Sequence, residues 1–246
     1  MTVITFDNVT KKYKTGFRSK KNALIDFSLD VREGEVFGFL GPNGAGKSTA
    51  IKILLNIIFP THGKAGILGR DVGDEDIRKL VGYLPENPYF YDYLNPLELL
   101  SFAGKTSGLA SFTIKKKSEE LLNTLGLFNE RKRAIKSYSK GMVQRVGLAL
   151  ALIHDPKIVI LDEPMTGLDP IGRRQVIDLI KKLKSESKTI FFSSHILEDV
   201  ERVCDRIGIL VNGSLVRTIS IASEHLDKPL EDIFIEEVEK AGGIQR

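Results

Sequence analysis

A single cysteine, Cys204, stands among 246 residues, so no disulfide can form within the chain, a composition that suits a reducing compartment. Long apolar runs are also missing. The longest, such as Val146 to Ile153, fall well short of the roughly 20 residues that a helix needs to cross a bilayer, so a membrane role would have to come through a partner. The opening stretch Met1 to Asp7 alternates like a strand and lacks the charged and apolar blocks of a signal peptide, which predicts a chain that stays where it is made. A large excess of one charge is missing too: 36 Lys and Arg face 32 Asp and Glu, a net of +4. That small excess reads as solvated surface and implies no nucleic acid. No internal repeat or low-complexity linker divides the chain. With 42% hydrophobic and 28% charged residues, and a length near the upper size for one hydrophobic core, the expectation is one domain carrying a subdomain.

What is present is a glycine-rich segment in a telling place. Gly41-Pro42-Asn43-Gly44-Ala45-Gly46-Lys47-Ser48-Thr49 follows the apolar run Glu35 to Leu40 and precedes the helix-like run Ala50 to Asn56. A strand thus delivers a loop into a helix N-terminus. Glycines let the backbone curl until several N–H groups point inward, and the helix end adds partial positive charge, so a triphosphate is held mainly by main chain. Lys47 then reaches the outer phosphates and the Ser48 hydroxyl ligates Mg²⁺. The bare pattern arises by chance in roughly one chain in a hundred of this length, so the flanking strand and helix matter to the assignment.

Strand-like runs at Val3 to Val9, Ala23 to Val31 and Glu35 to Leu40 open the chain, and Gly63 to Gly69 and Leu80 to Leu84 follow, joined by a helical link at Asp74 to Lys79. From Pro85 to about Ile153 strand signals vanish and helices are expected at Pro96 to Phe102, Ile114 to Leu125 and Gly141 to Ile153, the last with Val143, Val146, Leu150 and Ile153 on one apolar face. Beyond, Lys157 to Leu161 reads as a strand covered on both faces. Helix and strand then alternate through Gly172 to Leu183, Thr189 to Phe192, Leu197 to Val203 and Arg206 to Val211. Asn212-Gly213 predicts a hairpin into Ser214 to Ile219, and Leu230 to Lys240 a final amphipathic helix. The expected organisation is an α/β core over residues 1–84 and 157–219, a helical insertion over about 85–153, and a tail over 220–246.

Ile158-Val-Ile-Leu-Asp-Glu-Pro164 sets two carboxylates where a buried strand emerges, the end at which open α/β sheets bind ligands. Strand alternation sends Asp162 and Glu163 in different directions, so Asp162 holds Mg²⁺ through its waters while Glu163 faces the water attacking the γ-phosphorus, as general base or positioning group. Thr189 to Phe192 ends in Ser193-Ser194-His195. Locally, His195 belongs to a helix start with Ser193 or Ser194 as N-cap, or contacts the γ-phosphate; the phosphate loop elsewhere in the chain favours the contact. The basic runs Arg18 to Lys21, Lys115 to Lys117 and Arg131 to Arg133 read as solvated faces.

Tyr138-Ser-Lys-Gly-Met-Val-Gln-Arg145 lies between the insertion and the acidic strand. With the loop at Gly41, the acidic strand end, Thr166-Gly-Leu-Asp169 and His195 in this order, the chain resembles the ATP-binding subunits of ABC transporters along nearly its whole length, and most closely the single-domain ATPase subunits of bacterial export systems. The resemblance implies a P-loop NTPase core of ABC ATPase type with an N-terminal antiparallel β subdomain and a helical insertion. It implies ATP and Mg²⁺ as cofactors and ATP hydrolysis as the activity. It makes Tyr13 the adenine-stacking aromatic and Tyr138 to Met142 the counterpart of the family's Leu-Ser-Gly-Gly-Gln, with Ser139 and Gly141 kept at the phosphate-facing positions. Tyr138, Lys140 and Met142 depart from that pattern, and Glu86 stands where the family generally has glutamine, still able to ligate Mg²⁺ or water but repelled by γ-phosphate. The family arrangement pairs two such chains head to tail around two ATP, bound to an integral-membrane subunit on the cytoplasmic face, with no insertion of the ATPase itself into the membrane. A cytosolic ATP-switched assembly factor is the other class sharing these motifs. A kinase or GTPase shares only the first loop, and the chain has no Asn-Lys-X-Asp guanine motif.

Overall fold

The structure is a computed structural model that describes residues 1–14, 20–221 and 228–242. Residues 222–227 and 243–246 of the tail and the first half of the basic run Arg18 to Lys21 lie outside the described residues. The chain forms two compact units, one of residues 1–77 and 191–246, the other of residues 78–190. It is a mixed α/β fold with an antiparallel sheet and a second, largely parallel set of strands.

In the first unit, β1 (Thr2–Lys14), β2 (Lys20–Arg32), β4 (His62–Ile67) and β5 (Arg70–Asp71) form an antiparallel sheet in the order β2-β1-β4-β5. Both long strands exceed the predicted runs because their alternation is broken midway. The β1–β2 register shifts between Phe6 and Val9, beside Asn8, whose φ of 48° is left-handed. A short polar side chain tolerates that conformation, and an unpaired residue there turns the strand without ending it. β3 (Val36–Leu40) has all five residues buried and runs parallel to β9 (Arg206–Val211), which turns at Asn212-Gly213 into antiparallel β10 (Ser214–Ser220). Phe27 joins the sheets by ring contacts: its centroid lies 4.9 Å from Phe6, nearly edge-on, and 5.5 Å from Phe39. Helices α1 (Lys47–Leu54), α6 (Leu197–Val203) and α7 (Leu230–Lys240) belong to this unit.

The second unit opens within a 3₁₀ turn, Glu75–Leu80, close to the predicted link. β6 (Val81–Leu84) pairs parallel with β7 (Ile158–Asp162), Leu84 opposite Leu161. Between them in sequence run α2 (Pro96–Thr106), α3 (Ser111–Thr124) and α4 (Lys140–Leu152), with 3₁₀ turns at Phe128–Glu130 and Ile135–Ser137 that the hydrophobic period did not reveal. α2 starts on a capping box: the Glu98 N–H donates to Asn95 Oδ1 and the Asn95 N–H to Glu98 Oε2, with Pro96 in the first turn. α5 (Pro170–Ser185) follows β7, and β8 (Thr189–Ser194) carries the chain back into the first unit.

α4 is more deeply buried than an amphipathic reading allows. Of the predicted stripe, Val146 and Ile153 are buried, but Val143 and Leu150 are only partly so, while Gln144, Gly147, Leu148 and Ala151 are buried. Two glycines explain the close seat: a Cβ at Gly82 would stand 2.1 Å from the Ala151 carbonyl oxygen, and one at Gly147 2.5 Å from the Leu84 side chain. α4 therefore lies directly on β6.

Candidate nucleotide site

The loop Gly41 to Thr49 is shaped by contacts that exclude side chains. A Cβ at Gly41 would meet the Leu210 carbonyl oxygen at 2.4 Å, and one at Gly46 the Ala23 carbonyl oxygen at 2.4 Å. Gly44 and Gly46 have φ of 81° and 115°, in the region that favours glycine. Gly46 is the N-cap of α1 and makes no side-chain cap hydrogen bond, so the helix starts directly from the backbone of the loop, the arrangement that suits anion binding at a helix N-terminus. Ala45 N–H donates to Pro42 O at 3.1 Å, closing the curl. Lys47 is only 6% exposed, and its Nζ donates to the carbonyls of Gly41 at 2.6 Å and Pro42 at 3.3 Å, which hold the ammonium on the loop. Ser48 follows in the first helical turn.

Two further candidates lie in this unit. Tyr13 is 38% exposed near the end of β1, with Lys11 Nζ 5.2 Å from its ring centroid, so the ring is accessible and already engaged by a cation. His195 is exposed just past β8. The N-cap expectation is corrected: α6 starts at Leu197 with Ile196 as its N-cap and no side-chain cap. Ser194 Oγ instead accepts the Ile196 N–H at 3.0 Å, a local turn that ends the strand before the helix begins.

The second unit gathers the acidic and signature residues. Asp162 and Glu163 are 3% and 8% exposed at the end of β7. Asp162 is the last residue of the strand, whereas Glu163 has left it and takes a left-handed φ of 52°. A non-glycine residue is held there only when its surroundings over-determine it. Thr166 does much of this, its N–H donating to Glu163 O at 3.2 Å and its Oγ1 to Glu163 Oε2 at 3.4 Å. Asp169 ends the same loop as N-cap of α5, accepting the Gly172 N–H at 2.6 Å, with Pro170 in the first turn.

Ser139 is the N-cap of α4, its Oγ accepting the Met142 N–H at 3.2 Å, so the signature serine stands at a helix N-terminus. A Cβ at Gly141 would lie 3.2 Å from Leu168 Cδ2, and one at Gly167 3.2 Å from Lys140 Cδ. The signature segment and the loop Thr166 to Asp169 thus pack against each other, and Lys140, which departs from the family's glycine, lays its stem over Gly167. Glu86 is exposed beyond β6. Tyr83 lies nearby; burial first, then the charges of Asp162 and Glu86, push its hydroxyl pKa up to about 12, so it remains a neutral donor. Among the described residues no three His, Cys, Asp or Glu side chains converge as a metal cage. Mg²⁺ does not ask for one, since it takes one or two protein oxygens and completes its shell with phosphate and water. The hydroxyl of Ser48 in the first unit and the carboxylate of Asp162 in the second are each oxygen donors of that kind.

Residues 24–166 match the ABC transporter family. The chain belongs to the ABC transporter ATP-binding family. An uncharacterized ABC transporter ATP-binding protein of Synechocystis is 48% identical over 218 residues, covering 87% of this chain and 62% of that protein, so the chain spans less than two thirds of that relative's length. The bacitracin transport ATP-binding protein BcrA of Enterococcus faecalis is 39% identical over 227 residues, 91% of this chain and 71% of that one. Among solved structures, the dimeric ATP-binding cassette MJ0796, in a post-hydrolysis state bound to ADP and Pi, aligns with a TM-score of 0.83 at 27% identity, over 90% of this chain and 100% of that one.

For an ABC ATP-binding chain, three residues of interest escaped the reading of motifs. Gly213 was legible only as a turn residue, yet its N–H donates to Ala45 O at 2.9 Å and its carbonyl accepts from Ile25, bracing the phosphate loop from behind. No local signal links a hairpin to a loop more than a hundred residues earlier. Tyr83 looked like an ordinary strand residue. Gln144 did leave a signal, a lone amide within the apolar run of α4.

Proposed function

We propose that the chain is the ATP-binding and ATP-hydrolysing motor subunit of an ABC transporter, an exporter, working as a head-to-tail pair around two ATP on the cytoplasmic face of a membrane. The observation that carries the reading is the Gly41 to Lys47 loop, whose close approaches at Gly41 and Gly46 leave room only for glycine and whose lysine is fixed on the curl. Within it, Gly41 to Thr49 grip the phosphates, Lys47 neutralises the outer ones, Tyr13 stacks on adenine and Glu163 orients or deprotonates the attacking water. His195 contacts the γ-phosphate. Mg²⁺, held by Ser48 and Asp162 with Glu86 as a further oxygen donor, supplies charge neutralisation on the phosphates.

Ser139 and Gly141 serve the nucleotide of the other chain. Moving a dimer equilibrium from 1:99 to 99:1 takes about 5.5 kcal/mol of differential binding. Charge-assisted hydrogen bonds contribute about 1.5 to 3 kcal/mol each, so the Ser139 hydroxyl and two or three N–H groups of the α4 N-terminus suffice. Hydrolysis then splits the charge that bridges the chains and releases them, and a membrane subunit docked on the helical insertion, about residues 85–153, follows the movement. Transport is supported by relatives named for bacitracin and lantibiotic transport. No helix among the described residues is long and apolar enough to cross a membrane, and the reading assigns the crossing to a membrane subunit.

The test is a crosslink. Cysteines introduced at Asn43 and Ser139 should join two chains when ATP is present and not in its absence; the native Cys204 is 7% exposed and does not compete. Failure of any interchain product under saturating ATP would remove the head-to-tail pair. A second expectation concerns Glu86→Gln. Because the side chain is exposed, its charge is screened, and basal hydrolysis should change by less than about fivefold. Stimulation by the membrane subunit should change more. Equal ratios of stimulated to basal rate in both forms would contradict a role for this position in coupling.

A further inference from the structure

Gln144 is 1% exposed, and its side-chain Nε2 donates to the main-chain oxygen of Glu163 at 3.4 Å. The opposite amide orientation would set two oxygens against each other, so the donor is fixed by the Glu163 carbonyl. Among the described residues, Gln144 Oε1 has no hydrogen-bond partner. A buried acceptor without a donor costs stability, and an apolar side chain of similar volume would avoid that cost. Packing alone therefore gives no reason for an amide here.

Its placement gives one. The carbonyl it reaches belongs to a residue in a left-handed conformation, and that carbonyl also accepts the Thr166 N–H at 3.2 Å. Gln144 and Thr166 thus hold the Glu163 backbone from two elements, α4 on one side and the following loop on the other. Five residues before Gln144 on the same element stands Ser139, the N-cap of α4. A helix transmits axial shifts and rotations as a stiff body, so a change at its N-terminus reaches the Glu163 carbonyl through this amide.

We propose that Gln144 is a positioning residue for Glu163: through its amide, α4 sets the backbone conformation from which the carboxylate addresses the attacking water, and so ties engagement of Ser139 to turnover in the same chain. The inference rests on the role given to Glu163 above. It separates effects that a packing role would join. Loss of the amide should loosen the carboxylate, which acts in the transition state, and leave the phosphate loop untouched.

The test compares Gln144→Met and Gln144→Leu in the full chain by steady-state ATPase assay, nucleotide binding and thermal melting. The expected result is a fall in kcat on the order of tenfold, as small misplacements of a reacting group produce, with KM and nucleotide Kd within about twofold of wild type. The melting temperature should be unchanged or raised. A kcat within about twofold of wild type in either folded variant overturns the proposal, as does a lowered melting temperature with kcat intact. Should neither apolar variant fold, Gln144→Asn, which keeps the amide but withdraws it by one methylene, carries the same readouts. Glu163→Gln run in parallel separates the two levels: full turnover there removes the role of Glu163 itself. Lost turnover there with normal turnover in the Gln144 variants removes only this inference.

Discussion

Glu163→Gln is expected to lower kcat for ATP hydrolysis by about 10²- to 10⁴-fold while nucleotide binding persists, the range for losing a positioned acid–base group. Glutamine matches the shape of glutamate, and its amide oxygen can still accept the hydroxyl of Thr166, which reaches Glu163 Oε2 at 3.4 Å. The left-handed φ of 52° costs glutamine no more than glutamate, so the change in folding stability should stay under about 1 kcal/mol. What disappears is the negative charge and basicity facing the attacking water. With binding kept and chemistry blocked, ATP continues to bridge the two chains, so the variant should elute as a dimer with Mg-ATP and as a monomer without it. Phosphate release and size-exclusion chromatography on the same sample check both halves. Wild-type turnover would take Glu163 out of its role; blocked turnover without dimer would keep that role and discard the clamp.

The strand-to-helix loop was legible because its chemistry is local: nine consecutive residues and their two flanks carry the whole argument. Leu197–Val203, Arg206–Val211 and Leu230–Lys240 have the predicted bounds, since each is short and carries its period unbroken. β1 and β2 came out longer than predicted because a bulge at Asn8 interrupts alternation without ending the strand. The expected stripe of α4 held at Val146 and Ile153 but was too narrow, because glycines at positions 82 and 147 let the helix sink onto β6 and bury Gln144, Gly147, Leu148 and Ala151 as well. At the site, Asp162 and Glu163 were singled out by a strand-end rule, but the left-handed backbone of Glu163 is something no residue type announces. Gly213 and Gln144 act through hydrogen bonds to Ala45 and Glu163, and such long-range pairings are written in the fold rather than in any local pattern.

Lys47→Ala should weaken ATP binding on the order of 100-fold, which is about 2.7 kcal/mol and comparable with the 1.5 to 3 kcal/mol of one charge-assisted hydrogen bond. The lysine already donates to Gly41 O and Pro42 O, so phosphate must compete with those carbonyls, and the net loss is one such interaction rather than the sum of all it makes. The loop itself should survive, because Ala45 N–H to Pro42 O and Gly213 N–H to Ala45 O hold its curl without the lysine. Ligand-induced stabilisation gives a second readout. At nucleotide concentrations near 100 times the wild-type Kd, binding adds about 2.7 kcal/mol to wild type and about 0.4 kcal/mol to a variant bound 100-fold more weakly. For a chain of this size that is a thermal shift of roughly 5 to 10 °C against about 1 °C. Lys47→Arg should fail as well, since a planar guanidinium on a longer stem does not fit a seat where the amine lies 2.6 Å from one backbone carbonyl. Equal thermal shifts in wild type and Lys47→Ala would show that the phosphates are held elsewhere, and the loop would lose its place at the centre of the site.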